Sequence, residues 1–264
     1  MSAFPPRGQR WVVAHRGASA LRPENTAAAF ERAIADEADA AECDLRLTAD
    51  GRVVVCHDAD LSKFGRLDVR VDATALERLQ TVDVGGWFDA AYSDERLLSL
   101  EQLLDRFADR LPLCLELKTD PEDEANRVRG DRLRTFVVAV AEAVVNCPAN
   151  DCLSLLAFDP DAIRELHTAG CGNLVFNVHE PDRLTAADLD ALPPLAAVDC
   201  NIRRLTGPTA ELILDRGLRL MAYTCNGPAD VAKAVGLGVE AIITDDPRQT
   251  RDLLNRFDRP ADAT

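Results

Sequence analysis

Two histidines and three carboxylates in this chain stand where apolar runs give way to polar residues, and their types suit cleavage of a phosphorus–oxygen ester. His15 follows the run Trp11–Ala14, in His15-Arg16-Gly17, and His57 follows the alternating segment Arg52–Cys56, in His57-Asp58. Imidazole changes charge near neutral pH, so two of them can supply both roles such a reaction needs. One takes a proton from the attacking oxygen, and the other protonates the departing alkoxide. The remaining histidines, His167 on a helical segment and His179, are read as ordinary polar residues.

The carboxylates follow the period of two that a strand imposes. In Ala40–Leu45, Glu42 and Asp44 project to one face, opposite Cys43 and Leu45, and in Leu113–Leu117 the residue Glu116 shares a face with Lys118. Charges aimed into an apolar interior are unfavourable unless they are paired or bind a metal. One divalent cation held by Glu42, Asp44 and Glu116 meets that requirement, and an all-oxygen donor set points to Mg2+ or Ca2+. Zinc would draw histidine or cysteine. Lys118 then lies beside the cation, placed for a phosphate or a carboxylate. The structural alternative is a buried ion-pair network of Glu42, Asp44, Glu116, Arg16 and Lys118 without chemistry; the convergence of three consecutive strand ends favours the cation. The turn Pro23-Glu24-Asn25-Thr26 supplies a helix cap, and Glu24 or Asn25 is also near enough to His15 to orient a ligand or the phosphate.

These residues must be carried by regular elements. Strands are expected at 11–14, 40–45, 113–117, 152–156, 174–178, 196–199, 218–223 and 241–244. Helices are expected at 26–37, 100–110, 131–146, 160–168, 185–192, 208–216, 228–235 and 247–257, several of them opening at or next to proline, where the missing N–H carries no penalty. Eight alternating pairs define an α/β chain closed as a (β/α)8 barrel, whose polar groups at the C-terminal strand ends form the site. The barrel spans 1–258. The long interval 46–98, with a strand pattern at Arg52–Cys56 and a Gly-Trp-Phe segment at Asp83–Phe88, reads as an inserted hairpin and lid after the second strand. Residues 259–264 read as a disordered tail.

Composition narrows the partners. The 264 residues are 47% hydrophobic and carry a formal charge of −15, which repels nucleic acid and anionic membrane while welcoming cations. No run has the length of a signal peptide or a membrane span, so a cytoplasmic setting is expected without stable membrane insertion. Eight scattered cysteines without C-x-x-C spacing read as buried free thiols. Assembly into a homo-oligomer is left open.

Taken in order, the motifs resemble those of the glycerophosphodiester phosphodiesterase family. They are His15-Arg16-Gly17, Pro23-Glu24-Asn25-Thr26, Glu42-x-Asp44, His57-Asp58, the Asp83–Phe88 segment, Glu116-Leu117-Lys118 and Ile243-Thr244-Asp245-Asp246-Pro247. The resemblance implies a barrel with an inserted subdomain, metal binding by Glu42, Asp44 and Glu116, acid–base roles for His15 and His57, and phosphate contacts from Arg16 and Lys118. It also implies a small-molecule glycerophosphodiester substrate, cleaved to sn-glycerol 3-phosphate and an alcohol. The nucleophile is left open between water and the substrate's own glycerol 2-hydroxyl.

Three departures fall where the substrate pocket is expected. Ala157-Phe158 stands where the family usually has Ser-Phe, Tyr223 stands where a tryptophan precedes Thr-x-Asn, and Leu61-Ser62-Lys63-Phe64-Gly65 replaces an Arg/Thr-rich stretch. Tyr223 is accordingly expected to contact substrate, and Ala157 to remove a hydroxyl from the pocket. Two other readings stay open: a phosphodiesterase of lysophospholipid or sphingolipid headgroups, and a noncatalytic barrel that binds phosphodiesters.

Overall fold

Short runs of Val, Ile, Leu and Ala, too short for helices and flanked by turns, pair edge to edge into a closed sheet. The computed structural model describes residues 1–123 and 126–257, and the tail expected at 259–264 lies outside them. In chain order the elements are β1 (Trp11–His15), α1 (Ala27–Ala35), β2 (Ala40–Leu47), β3 (Val53–Val55), β4 (Asp60–Leu61), β5 (Arg66–Arg70), α2 (Leu76–Leu79), α3 (Leu100–Phe107), β6 (Leu113–Leu117) and α4 (Gly130–Asn146). They continue with β7 (Leu153–Ala157), α5 (Pro160–Thr168), β8 (Leu174–Val178), α6 (Ala186–Asp190), β9 (Ala197–Asn201), α7 (Gly207–Leu214), β10 (Arg219–Tyr223), α8 (Pro228–Gly236), β11 (Ala241–Thr244) and α9 (Pro247–Phe257).

Eight of these strands are parallel neighbours in the order β1, β11, β10, β9, β8, β7, β6, β2, and β2 pairs back onto β1. The sheet therefore closes as a (β/α)8 barrel with helices between its strands. Alternation divides the apolar residues into two cores. Val13, Cys114, Leu156, Val175, Met221 and Ile243 fill the lumen, joined by Phe4 from the N-terminal segment. The opposite strand faces pack on the helices, where the Phe30 and Phe107 rings meet at 5.3 Å between centroids.

Element boundaries moved for local reasons. β2 runs two residues past the expected Leu45 because Leu45–Leu47 pair antiparallel with Val53–Val55. Helix α1 begins at Ala27, since Thr26 is extended and its hydroxyl accepts the Ala29 N–H as an N-cap. Helix α3 ends at Phe107 rather than Arg110, and the expected 185–192 helix is Ala186–Asp190, its start fixed by a capping box from Thr185 and Asp188. Between β2 and α3, β3, the β4–β5 ribbon and α2 enclose a separate small core of Val54, Leu61, Val69, Leu79, Val84 and Leu97. All eight cysteines are buried free thiols.

Gly17 lets the chain turn tightly from β1 toward α1. Its φ is +77°, and a Cβ there would lie 2.6 Å from the Ala29 backbone carbon. Gly51 has a similar φ of +74°, but its nearest such neighbour is 4.0 Å away. Gly51→Ala should therefore cost about 1 kcal/mol from conformation alone, and Gly17→Ala about 2–4 kcal/mol because backbone atoms must also shift. Urea unfolding midpoints of the two variants check this; equal losses would remove the steric account.

Candidate active site

The register of the first strands assembles the site. β1 pairs His15 with Glu42 of β2, and β2 pairs Asp44 with Glu116 of β6, at the end of the lumen where the strands terminate. Glu42, Asp44 and Glu116 are all buried, and each offers a carboxylate oxygen within 4.8 Å of the others. Among the described residues no other group of three metal-capable side chains meets in this way.

Two cations and two amides surround the trio. Lys118 Nζ lies 2.8 Å from Glu116 Oε1 and 3.5 Å from Asp44 Oδ1. Arg16 Nε forms an ion pair with Asp44 Oδ2 at 3.2 Å, although its N–H is not aligned for a hydrogen bond. Asn25, in the left-handed region at φ 57°, donates from Nδ2 to Asp44 Oδ2 at 2.8 Å, and Asn177 on β8 donates to Glu116 Oε2 at 3.2 Å. Glu24 takes the other end of Arg16 and also binds Lys63. Asn25 thus orients Asp44 and Glu24 orients Arg16, while Thr26 does the capping.

Burial sets the protonation. Desolvation, together with the charges of Asp44 and Glu116, pushes Glu42 well above the usual carboxylate range. For Asp44 burial acts in the same direction, but Lys118 and Arg16 outweigh it and hold the group below its ordinary value. Burial opposes the charges on Lys118 and Arg16 as well; the carboxylates outweigh it and raise both. With Glu42 protonated, two carboxylates balance two cations. A divalent cation would ionise Glu42 and leave one net positive charge, the complement of a phosphodiester monoanion. The residues fit such a cation: the donors are all oxygen, and the buried Glu42 Oε1 has no hydrogen-bond partner.

Each histidine is held through Nδ1, leaving Nε2 for chemistry. His15 Nδ1 lies 2.6 Å from Asp245 Oδ1, and its Nε2 lies 3.9 Å from Glu42 Oε2. Asp245, just after β11, is itself fixed by Ser19 Oγ at 3.2 Å and by Asn226 Nδ2 at 2.6 Å. Burial works against its charge, but the hydrogen bond with His15 and the imidazole's charge keep it below the ordinary aspartate value. His57 Nδ1 lies 2.8 Å from Asp58 Oδ1. An ionised carboxylate accepts from Nδ1–H and so selects the tautomer with Nε2 unprotonated.

Every residue expected at the site lies at this end of the barrel, with two refinements. Tyr223 packs edge-on against Phe158 at 5.9 Å between centroids, and its hydroxyl donates to the Val178 carbonyl, so it presents a ring rather than a free hydroxyl. Ala157 is a correction. It is fully buried in the core between strands and helices, on the face opposite Leu156, so a hydroxyl there would not reach the lumen. Phe158, one residue on, lies 5.9 Å from Lys118 Nζ. Sequence reasoning gave no role to Ser19, Asn226, Asp245 or Asn177. Strand parity was an available signal for two of them, because Asp245 follows Ile243 and Asn177 follows Val175 on the lumen face.

Comparison with known proteins identifies the family. The sequence model of the glycerophosphoryl diester phosphodiesterase family matches residues 15–249. YhdW of Bacillus subtilis is 31% identical over 244 residues, covering 90% of this chain and 95% of that protein. A glycerophosphodiester phosphodiesterase of Caldanaerobacter subterraneus is 27% identical over 265 residues, covering 93% and 98%. An Oleispira antarctica phosphodiesterase, solved in complex with the product sn-glycerol-3-phosphate, superposes with a TM-score of 0.85 at 23% identity, covering 97% of this chain and all of that one, and so shares the fold. Barrel and sequence together define a phosphoric diester hydrolase. The chain belongs to the glycerophosphoryl diester phosphodiesterase family.

The raised Glu42 has a consequence for stability. Its contribution is fully present below the ordinary glutamate value of 4.5 and is lost as pH rises from there through the raised folded value. In EDTA, Glu42→Gln should therefore be more resistant to urea than the parent at pH 8, with the gap narrowing toward pH 4.5. Added Mg2+ or Ca2+ should stabilise the parent and not the variant. A variant less stable than the parent in EDTA at pH 8 would contradict the assignment.

Proposed function

We propose that this protein hydrolyses glycerophosphodiesters to sn-glycerol 3-phosphate and an alcohol, with a divalent cation, Mg2+ or Ca2+, held by Glu42, Asp44 and Glu116. The observation that carries this reading is the meeting of a buried carboxylate trio with two Nδ1-anchored histidines at one strand end of the barrel. When bound, the cation supplies a Lewis acid that draws charge from a nonbridging phosphate oxygen. Arg16 and Lys118 neutralise the phosphate beside it, where charge builds in the transition state. One imidazole Nε2 accepts the proton of the attacking oxygen as its bond to phosphorus forms. The other histidine, protonated, delivers a proton to the leaving alkoxide as the second P–O bond breaks.

Phe158 and Tyr223 form an aromatic wall beside Lys118, suited to the carbon skeleton of substrate, and residues 46–98 bring His57 to the site as an insertion over the barrel. A cytoplasmic setting belongs to the same reading, because eight unpaired thiols suit a reducing compartment. Within the described residues no helix is long and apolar enough to cross a membrane.

The test is release of glycerol 3-phosphate from a panel of glycerophosphodiesters, with EDTA and single-metal add-back. Activity that appears only with the cation supports the reading; tight binding without turnover would replace it with a noncatalytic barrel. His15→Ala and His57→Ala should each lower kcat at least ~100-fold. Asp245→Asn should lower kcat by ~100-fold or more while changing KM little, because an amide can hold the ring in the wrong tautomer. Unchanged kcat in that variant would remove Asp245 from the mechanism.

A further inference from the structure

We infer that Arg46 is the positioning residue that places His57, an inference that rests on the acid–base role proposed for that histidine. The two histidines are anchored unequally. The carboxylate behind His15 is fixed by Ser19 and Asn226, whereas Asp58 is adjacent to His57 in the chain, and its side chain is 40% exposed. A neighbouring aspartate can set the ring's tautomer but cannot fix where the His57-Asp58 segment lies, because it moves with that segment. Some group outside the segment must hold its backbone.

Arg46 does this from the lumen face of β2, two residues beyond Asp44, with a side chain 9% exposed. Its Nε donates to the His57 carbonyl oxygen at 2.7 Å. The rest of the fork is spent on Asp120: Nη1 to Oδ2 at 2.6 Å and Nη2 to Oδ1 at 3.1 Å. Asp120 stands two residues after Lys118, with φ at 47°. One guanidinium thus ties three segments together: the metal-ligand strand, the His57 loop and the loop that follows Lys118. The Cys56 N–H, donating to the Asp44 carbonyl at 2.9 Å, is a second tie to the same strand one residue earlier. Arginine is required for this geometry. A planar fork can satisfy a carboxylate with two parallel bonds while its third nitrogen donates elsewhere, and a lysine ammonium has no such fixed directions.

A displacement of His57 by a fraction of an ångström would degrade proton transfer more than substrate binding. Arg46→Lys, which keeps the charge, should lower kcat about tenfold or more while KM changes less than about threefold. Arg46→Gln provides a second variant should the first fold poorly, and circular dichroism with urea midpoints establishes that each is folded. The deciding measurement is a double-mutant cycle with His57→Ala. If Arg46 acts through His57, Arg46→Lys should change the residual kcat less than about twofold in the His57→Ala background. The same fold-loss in both backgrounds would show a general structural role and overturn the inference. So would parent-like kcat in Arg46→Lys while His57→Ala is impaired, and that result would leave the proposed mechanism standing. Parent-like kcat in His57→Ala would instead remove the proposed role of His57 and this inference together.

Discussion

Three carboxylates share the seam between β2 and β6 in a place that water barely reaches. Two like charges some 4–5 Å apart repel by on the order of 3–4 kcal/mol at an effective dielectric near 20, before desolvation is counted. The neighbouring residues answer that repulsion one by one. Arg16 and Lys118 bring opposite charge, Asn25 and Asn177 donate to the oxygens, and Glu42 is held well above the usual carboxylate range. Remove the cations and Asp44 would lose the charges that keep it ionised; remove the trio and Lys118 would lose its carboxylate partners, leaving Arg16 with Glu24 alone. This interdependence ties residues in or just after β1, β2, β6 and β8 to a single electrostatic problem.

The barrel was legible because its signals are local. Apolar runs of strand length, alternating with helical segments that begin at proline or a capping residue, are written within a few residues of where they act. The same holds for Glu42, Asp44, Glu116 and Lys118, whose faces follow from counting by two along one strand. Boundaries were less legible where a partner decides them: β2 is extended by β3, and the start of α6 is set by its capping box. Ala157 shows a different failure. Its motif suggested the pocket, whereas the parity of β7 sends it outward and leaves Phe158 to face Lys118.

What the sequence concealed was chiefly contact over distance. Asn177 reaches Glu116 across 61 positions, and Arg46 reaches Asp120 across 74. No periodicity reports such pairs. His57-Asp58, by contrast, is visible as a dipeptide, yet its placement depends on Arg46, which reads in isolation as one more charged residue on a strand.

The His15–Asp245 contact spans 230 positions, from the first strand of the barrel to the loop after the eighth. The ribosome makes His15 230 positions before Asp245. Until that final strand has emerged and sealed against β1, the imidazole lacks the Asp245 carboxylate that fixes its tautomer, even if the carboxylate trio has already been synthesised. Growing chains and truncated products therefore lack the His15–Asp245 pair, and closure of the barrel coincides with its formation.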